Sequence, residues 1–387
     1  MSHRSFSEEM SKLSPPTIVT STAQLKELLE SCAAQPTVAV DTESNSLYAY
    51  QERVCLIQFS IPGVDYLVDP LTGLKLAPLG DLFANPEVQK VFHAAEYDVM
   101  CLKRDFGFQF TNLFDTMWAA RILGWPRVGL GNVLQEVFGV RTQKRYQRYN
   151  WGKRPLDAEA RLYASLDTHY LLPLRDLQAD ALTQKGRWEE AREVFDQIAA
   201  SDPMPPTTPD ADDFWRIQGA HDLPPHQQAI LRELYVWRER EARRLDRPPF
   251  KVLDKHTLVA LAQARPRTAE ELASVDGLKP YHVHRYGKGI LRAVGRGMQA
   301  RPPQPPPPPP RHSDAETARF QALRAWRKQV ATKRGVGVGV ILSNAILWTL
   351  AKQNPRTLDA LDDVEGLGPW KRETYGKAIL KVLESTC

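Results

Sequence analysis

Asp41, Glu43, Asp98, Tyr163 and Asp167 have the types and spacings that oxygen-based cation chemistry requires. Asp41 and Glu43 end the apolar, β-branched run Thr37-Val38-Ala39-Val40, which reads as a buried strand. Strand side chains alternate, so positions two apart project together. Adjacent carboxylates raise each other's pKa unless a cation lies between them. Tyr163 and Asp167, four apart in a helical stretch, share a face. Asp98 lies just past a short strand ending at His93, near the start of the next helix. Four carboxylates and a phenol suit hard divalent cations. Two such ions can clamp the attacking and leaving oxygens of a phosphodiester displacement. Each residue also has a plainer reading. Asp41 and Glu43 could be solvated acids, Asp98 an acid favoured by a helix dipole, Tyr163 a packed aromatic and Asp167 a surface acid.

The elements that must position these groups are legible from periodicity. Residues 23–31 have helical spacing, and 37–43, 53–59 and 65–69 read as three strands with Pro62-Gly63 as a turn, an antiparallel meander. A helix near 79–84, a strand 90–93, a helix 96–106 stopped by Gly107, a strand 112–114 and helices 115–123 and 132–138 follow. Strands interleaved with helices indicate an α/β layer fold with a mixed sheet. A long helix is expected over 157–177, with Leu162, Leu166 and Leu171 inward. Between them, residues 141–155 alternate cations with aromatics, a composition that suits phosphate and base contacts as well as it suits a solvated basic loop.

A net charge of +5 is compatible with a polyanionic partner. Cys32, Cys55, Cys101 and Cys387 show no paired spacing, so neither a disulfide frame nor a thiolate site is implied and a reducing cytoplasm fits. Residues 1–16 read as a polar tail without the apolar core of a signal peptide, and no apolar run is long enough to span a bilayer. The Pro-rich stretches 201–222 and 301–313 read as linkers, the latter holding the unbroken run Pro305 to Pro310. The pieces around the second linker repeat each other at a constant offset of 89 residues: Trp237-Arg238 with Trp326-Arg327, Pro266-Arg267-Thr268 with Pro355-Arg356-Thr357, Tyr286-Gly287-Lys288 with Tyr375-Gly376-Lys377. A gapless match of this kind is a duplicated domain, here a small helical bundle.

Asp41-x-Glu43, His93-x-x-x-x-Asp98 and Tyr163-x-x-x-Asp167 resemble the three signature motifs of the DEDD exonucleases, in the tyrosine-carrying branch of the ribonuclease D type. Cys55-Leu56-Ile57-Gln58, Phe114-Asp115-Thr116 and Trp151-x-x-Arg154-Pro155-Leu156 support the match, and the repeated unit resembles the helicase-and-RNase-D C-terminal (HRDC) domain. The resemblance implies a ribonuclease H-like exonuclease domain over 17–200 and HRDC domains over 223–300 and 314–387. It also implies 3′→5′ removal of nucleoside 5′-monophosphates with two divalent ions, Mg2+ or Mn2+. Asp41, Glu43 and Asp167 would hold one ion, Asp41 and Asp98 the other, and Tyr163 would orient the attacking water. With its pKa near ~10, a tyrosine is a poor base at neutral pH. Leu47, at a wedge position, with His93, Lys144, Arg145, Arg148, Trp151 and Arg154, is expected along the substrate path. Ser44, Tyr97 and Tyr149-Asn150-Trp151 depart from the family pattern without removing a metal ligand, so they bear on substrate preference.

The expected partner is RNA, by resemblance a tRNA precursor, and the expected state a cytoplasmic monomer. Arg238, Arg240, Arg243, Arg244 and Arg247 in one repeat, and Arg324, Arg327, Lys328, Lys333 and Arg334 in the other, are candidates for auxiliary nucleic-acid binding. The rival readings are a DNA-trimming repair exonuclease and a nucleic-acid-binding protein with a vestigial site.

Overall fold

The computed structural model describes residues 14–142, 144–205, 208–307 and 311–386. Its sheet has six strands: β1 (Thr17–Val19), β2 (Thr37–Ser44), β3 (Val54–Ile61), β4 (Val64–Val68), β5 (Gln89–Phe92) and β6 (Leu113–Asp115). They lie in the order β1-β4-β3-β2-β5-β6, with β2–β3 and β3–β4 antiparallel and the other pairs parallel. The meander is therefore the centre of a mixed sheet. Gly63, at φ +83°, closes the two-residue turn between β3 and β4, a conformation that needs no Cβ. The edge strand β1 is too short to show a period in the sequence; only its parallel pairing with β4 defines it. Residues 1–13 of the expected tail lie outside the described residues.

Along the sheet run α1 (Thr22–Ala33), α2 (Leu79–Ala84), α3 (Glu96–Phe106), α4 (Thr116–Leu123), α5 (Leu130–Val137), α6 (Ala158–His169), α7 (Leu171–Gln184) and α8 (Trp188–Ala200). Ile57 and Phe59 of β3 join Leu25, Leu28 and Phe83 in the main core. Leu56, on the opposite face, packs with Tyr163 and Ala164 of α6. Each large apolar side chain so buried stabilises the fold by about 1.5–3 kcal/mol. The single long helix expected over 157–177 is instead two, broken at Tyr170. Pro173 has no N–H to give and its ring would crowd the preceding turn, so it is accommodated in the first turn of a new helix.

The second repeat belongs to the same compact unit as the nuclease domain. The first repeat holds α9 (Pro225–Arg244), α10 (Pro249–Val252), α11 (Lys255–Ala264), α12 (Ala269–Ala273) and α13 (Pro280–Gln299). The second holds α14 (Asp314–Arg334), α15 (Val338–Ile341), α16 (Asn344–Gln353) and α17 (Pro369–Glu384). Arg334 forms a bidentate pair with Glu190 of α8, at 2.8 and 2.5 Å, and also meets the Tyr375 hydroxyl. The Trp370 backbone N–H donates to Glu193 at 2.6 Å. Val340 completes the nuclease core, and a Cβ on Gly124 would strike the Gly335 carbonyl at 2.4 Å. Glycine is what lets the two backbones touch.

The first repeat, with residues 45–53, forms the other compact unit. Its core joins α9, α11 and α13 through Leu231, Leu234, Leu261 and Ile290. Gly297 lies so close to α9 that a Cβ would reach the Ile230 backbone at 2.4 Å. Tyr50 donates its backbone N–H to Asp246 (3.1 Å) and its hydroxyl to Glu239 (3.3 Å), beneath Arg243, while Lys251 covers Tyr48.

Two expectations need correcting here. Residues 211–222 are not linker: a 3-10 turn, Ala211–Arg216, buries Phe214 and Trp215 in the first repeat's core. Nor are all the repeat cations available to nucleic acid. Arg238 and Arg327, equivalent by the 89-residue offset, are buried and donate to the equivalent carbonyls of Leu253 and Leu342, and Arg334 is consumed by Glu190. The described cysteines Cys32, Cys55 and Cys101 are buried and form no disulfide with one another. No described helix is long and apolar enough to cross a membrane.

Candidate active site

Asp41 and Glu43 lie two apart on β2, opposite Gln58 and Leu56 of β3, and a register shift follows Glu43. The pleat aims both acids at the face covered by α6. That helix carries Tyr163 and Asp167 one turn apart, and the Tyr163 hydroxyl donates to the Asp167 carboxylate. Asp98 comes from the first turn of α3, where the Thr42 hydroxyl donates to its carboxylate.

A residue outside the acid set holds α3 in place. Asp115, fully buried at the end of β6, accepts from Ala94 (3.2 Å) and Ala95 (2.7 Å) at the head of α3. The same carboxylate accepts from Met117 (2.8 Å) and Trp118 (3.0 Å) at the head of α4. One carboxylate thus caps two helices and fixes a turn in which Ala94 adopts a left-handed φ of +65°. Phe114-Asp115-Thr116 was the sequence signal for it; Thr42 had none.

Electrostatics tie the acids to one another. Burial, then the fields of Asp98 and Asp167, push Asp41 well above the ordinary carboxylate range. Burial, then Asp167, Asp41 and Asp98, do the same to Glu43. Burial pushes Asp98 and Asp167 up to about 7. Tyr163 is raised far beyond neutrality by burial, then by Asp167, Glu43 and Asp41, and stays a phenol. Among the described residues no Arg, Lys or His is a principal influence on any of the four carboxylates. Such a set is short of positive charge and consists wholly of hard oxygen donors, which fits divalent cations. Among the described residues no three acidic, His or Cys side chains form a ready-made cation cage.

The expected substrate residues divide. Arg154 is the clearest correction: all five of its N–H donors are used within the fold. Nε and Nη2 grip Asp69 at 2.5 and 2.8 Å, Nη2 also reaches the Cys55 carbonyl, and Nη1 serves those of Trp151 and Lys153. Trp151 is likewise removed from any substrate path, 2% exposed against Tyr149. Arg145 and Arg148 are exposed on the 3-10 turn Lys144–Arg148, Arg145 being paired with Glu159. The Lys144 side chain lies outside the described residues. His93 is held neutral by burial, with a pKa of about 4, and its Nδ1 meets the Thr116 hydroxyl at 2.8 Å. Leu47 is 38% exposed on the 45–53 segment.

A family model described as 3′-5′ exonuclease matches residues 16–181, and one described as HRDC domain matches 227–294 and 316–383. Fold and site thus define a 3′→5′ exonuclease with two HRDC domains. Ribonuclease D of Nitrobacter hamburgensis is 30% identical over 373 residues, 94% of this chain and 94% of that protein. Exosome complex exonuclease RRP6 of Saccharomyces cerevisiae is 32% identical over 295 residues, 73% of this chain, but the match spans only 40% of that longer protein. The crystal structure of Escherichia coli RNase D, described as an exoribonuclease involved in structured RNA processing, matches at a TM-score of 0.66 and 26% identity over 96% of this chain and 99% of that one. The chain belongs to the ribonuclease D family. Its fold is ribonuclease H-like, and its activity is that of a hydrolytic 3′→5′ exoribonuclease.

Proposed function

We propose that the protein shortens RNA from its 3′ end, releasing nucleoside 5′-monophosphates, with Asp41, Glu43, Asp98 and Asp167 as holders of two divalent cations, Mg2+ or Mn2+. When bound, the cations would neutralise charge on the reacting phosphate and acidify the attacking water. The observation that supports this reading is the set of four buried carboxylates, all pushed up by burial, with Asp41 and Glu43 raised further by the fields of the other acids. Asp41 faces two of the other acids and is suited to bridge. Tyr163 is too weak an acid to serve as base, so its hydroxyl positions the attacking water while Asp167 fixes the hydroxyl. The exposed Arg145 and Arg148 are the cations proposed to meet the substrate's phosphates, and tRNA precursors, with short 3′ tails beside structured stems, are the proposed substrates.

The test is digestion of 3′-labelled RNA and sequence-matched DNA with Mg2+, with Mn2+ and with chelator. RNA should shorten by single nucleotides with either ion and persist with chelator. Asp41→Asn should abolish cleavage and leave RNA binding intact; undiminished turnover would overturn the assignment. Faster trimming of DNA would move the substrate from RNA to DNA.

A further inference from the structure

Gln58 is fully buried, and among the described residues neither its amide nitrogen nor its amide oxygen has a hydrogen-bond partner. It stands directly opposite Asp41 in the antiparallel β2–β3 pair. Residues so opposed share a face of the sheet, with Cβ atoms about 4.5–5.5 Å apart. Its neighbours on that face locate it further. Leu56, two residues before, packs against Tyr163 and Ala164. Ser60, two residues after, meets the Thr168 hydroxyl at 2.6 Å. Gln58 therefore lies beneath the turn of α6 that runs from Tyr163 to Asp167.

The polar groups around it are satisfied by the chain itself. Ser60 donates to Asp65 at 2.6 Å, Asp65 also meets His169 at 2.9 Å, and Ser165 donates to the Leu162 carbonyl at 2.9 Å. A buried carboxamide with both ends unpaired is the costly case, and an apolar side chain of the same length would be better tolerated there. The partners of Gln58 are therefore to be sought in water and in the Asp41 carboxylate that stands opposite it. A carboxamide offers donors and an acceptor together, and its nearest ionisable neighbour across the strand pair is a carboxylate in need of a counter-ion.

We infer that Gln58 is a positioning residue for the cation site, its carboxamide holding Asp41, and water beside it, in the orientation that binds a divalent ion. The inference rests on the cation reading proposed above. Groups that hydrogen-bond to a liganding carboxylate orient it, and their loss weakens metal affinity by about 10–100-fold.

Titrating the full-length protein with Mn2+ alone, followed by calorimetry without RNA, tests this. Gln58→Met should weaken Mn2+ affinity by about 10–100-fold while the metal-free melting temperature stays level or rises. Its turnover should recover as Mn2+ is raised. Thr168→Val, equally buried but already partnered, should lower the melting temperature and leave Mn2+ affinity within about twofold. Gln58→Met affinity within about twofold of the parent would overturn the inference while leaving the cation reading standing. Absence of Mn2+ binding by the parent protein would overturn both. A crystal structure of the unsubstituted protein with Mn2+ gives an independent answer. The Gln58 amide should lie within hydrogen-bond distance of Asp41 or of a water beside it, and an amide still unpartnered there would refute its role.

Discussion

Arg334→Leu is the most informative single substitution, because the first repeat carries Leu245 at the equivalent position. Glu190 is fully buried and its carboxylate is bound at both oxygens by Arg334. Removing the guanidinium leaves a buried carboxylate without its ion-pair partner, a loss of about 3–5 kcal/mol. For a cooperative unit of roughly 270 residues, this corresponds to a fall in Tm of about 5–9 °C. Circular dichroism melts of the parent, Arg334→Leu, Glu190→Leu and the double variant form a closed cycle. The double variant should recover most of the loss, since two apolar side chains replace the pair without stranding a charge. An Arg334→Leu protein that melts within about 1 °C of the parent would refute the reasoning. The second repeat would then be held by its apolar packing and its other polar contacts, such as that of Trp370 with Glu193.

Asp98 and Asp167 have folded pKa values of about 7, above their unfolded range. The folded, metal-free protein therefore binds more protons than the unfolded chain between about pH 4 and 7, and its stability falls as pH rises through that window. Metal-free melts should show this decline, Asp167→Asn should flatten it, and added Mg2+ should stabilise more at pH 8 than at pH 5. Arg154→Met strands the buried Asp69 and should cost about 3 kcal/mol in urea denaturation, with RNA affinity of the folded protein unchanged. A weakened RNA affinity without loss of stability would restore Arg154 to the substrate path. Asp115→Asn replaces one of the two accepting oxygens that serve α3 and α4, so kcat should fall by about 10–100-fold as Asp98 shifts. An unchanged kcat would separate that cap from the site.

Much of this was legible in the chain because the informative signals are local. The Thr37–Val40 run has the period of a strand, Tyr163 and Asp167 the period of a helix, and the offset between the repeats needs no structure at all. What the sequence concealed depends on packing between distant elements. Glu190 and Glu193 look like exposed acids of an amphipathic helix until α14 and α17 cover them. Arg154 and Trp151 sit in a segment whose composition suits RNA, yet Asp69 and Tyr149 draw them inward. Phe214 and Trp215 follow a proline-rich stretch and acquire a core only once α9 is present.

The contacts of Tyr50 also bear on biosynthesis. Its partners Glu239 and Asp246 lie 189 and 196 positions later. At roughly 5–20 residues per second, a ribosome needs on the order of 10–40 s to deliver them. The strands on either side of this segment can pair long before the segment itself is anchored. Nascent chains should therefore pass through a stage in which the sheet is protected but Tyr50 is still open to proteases.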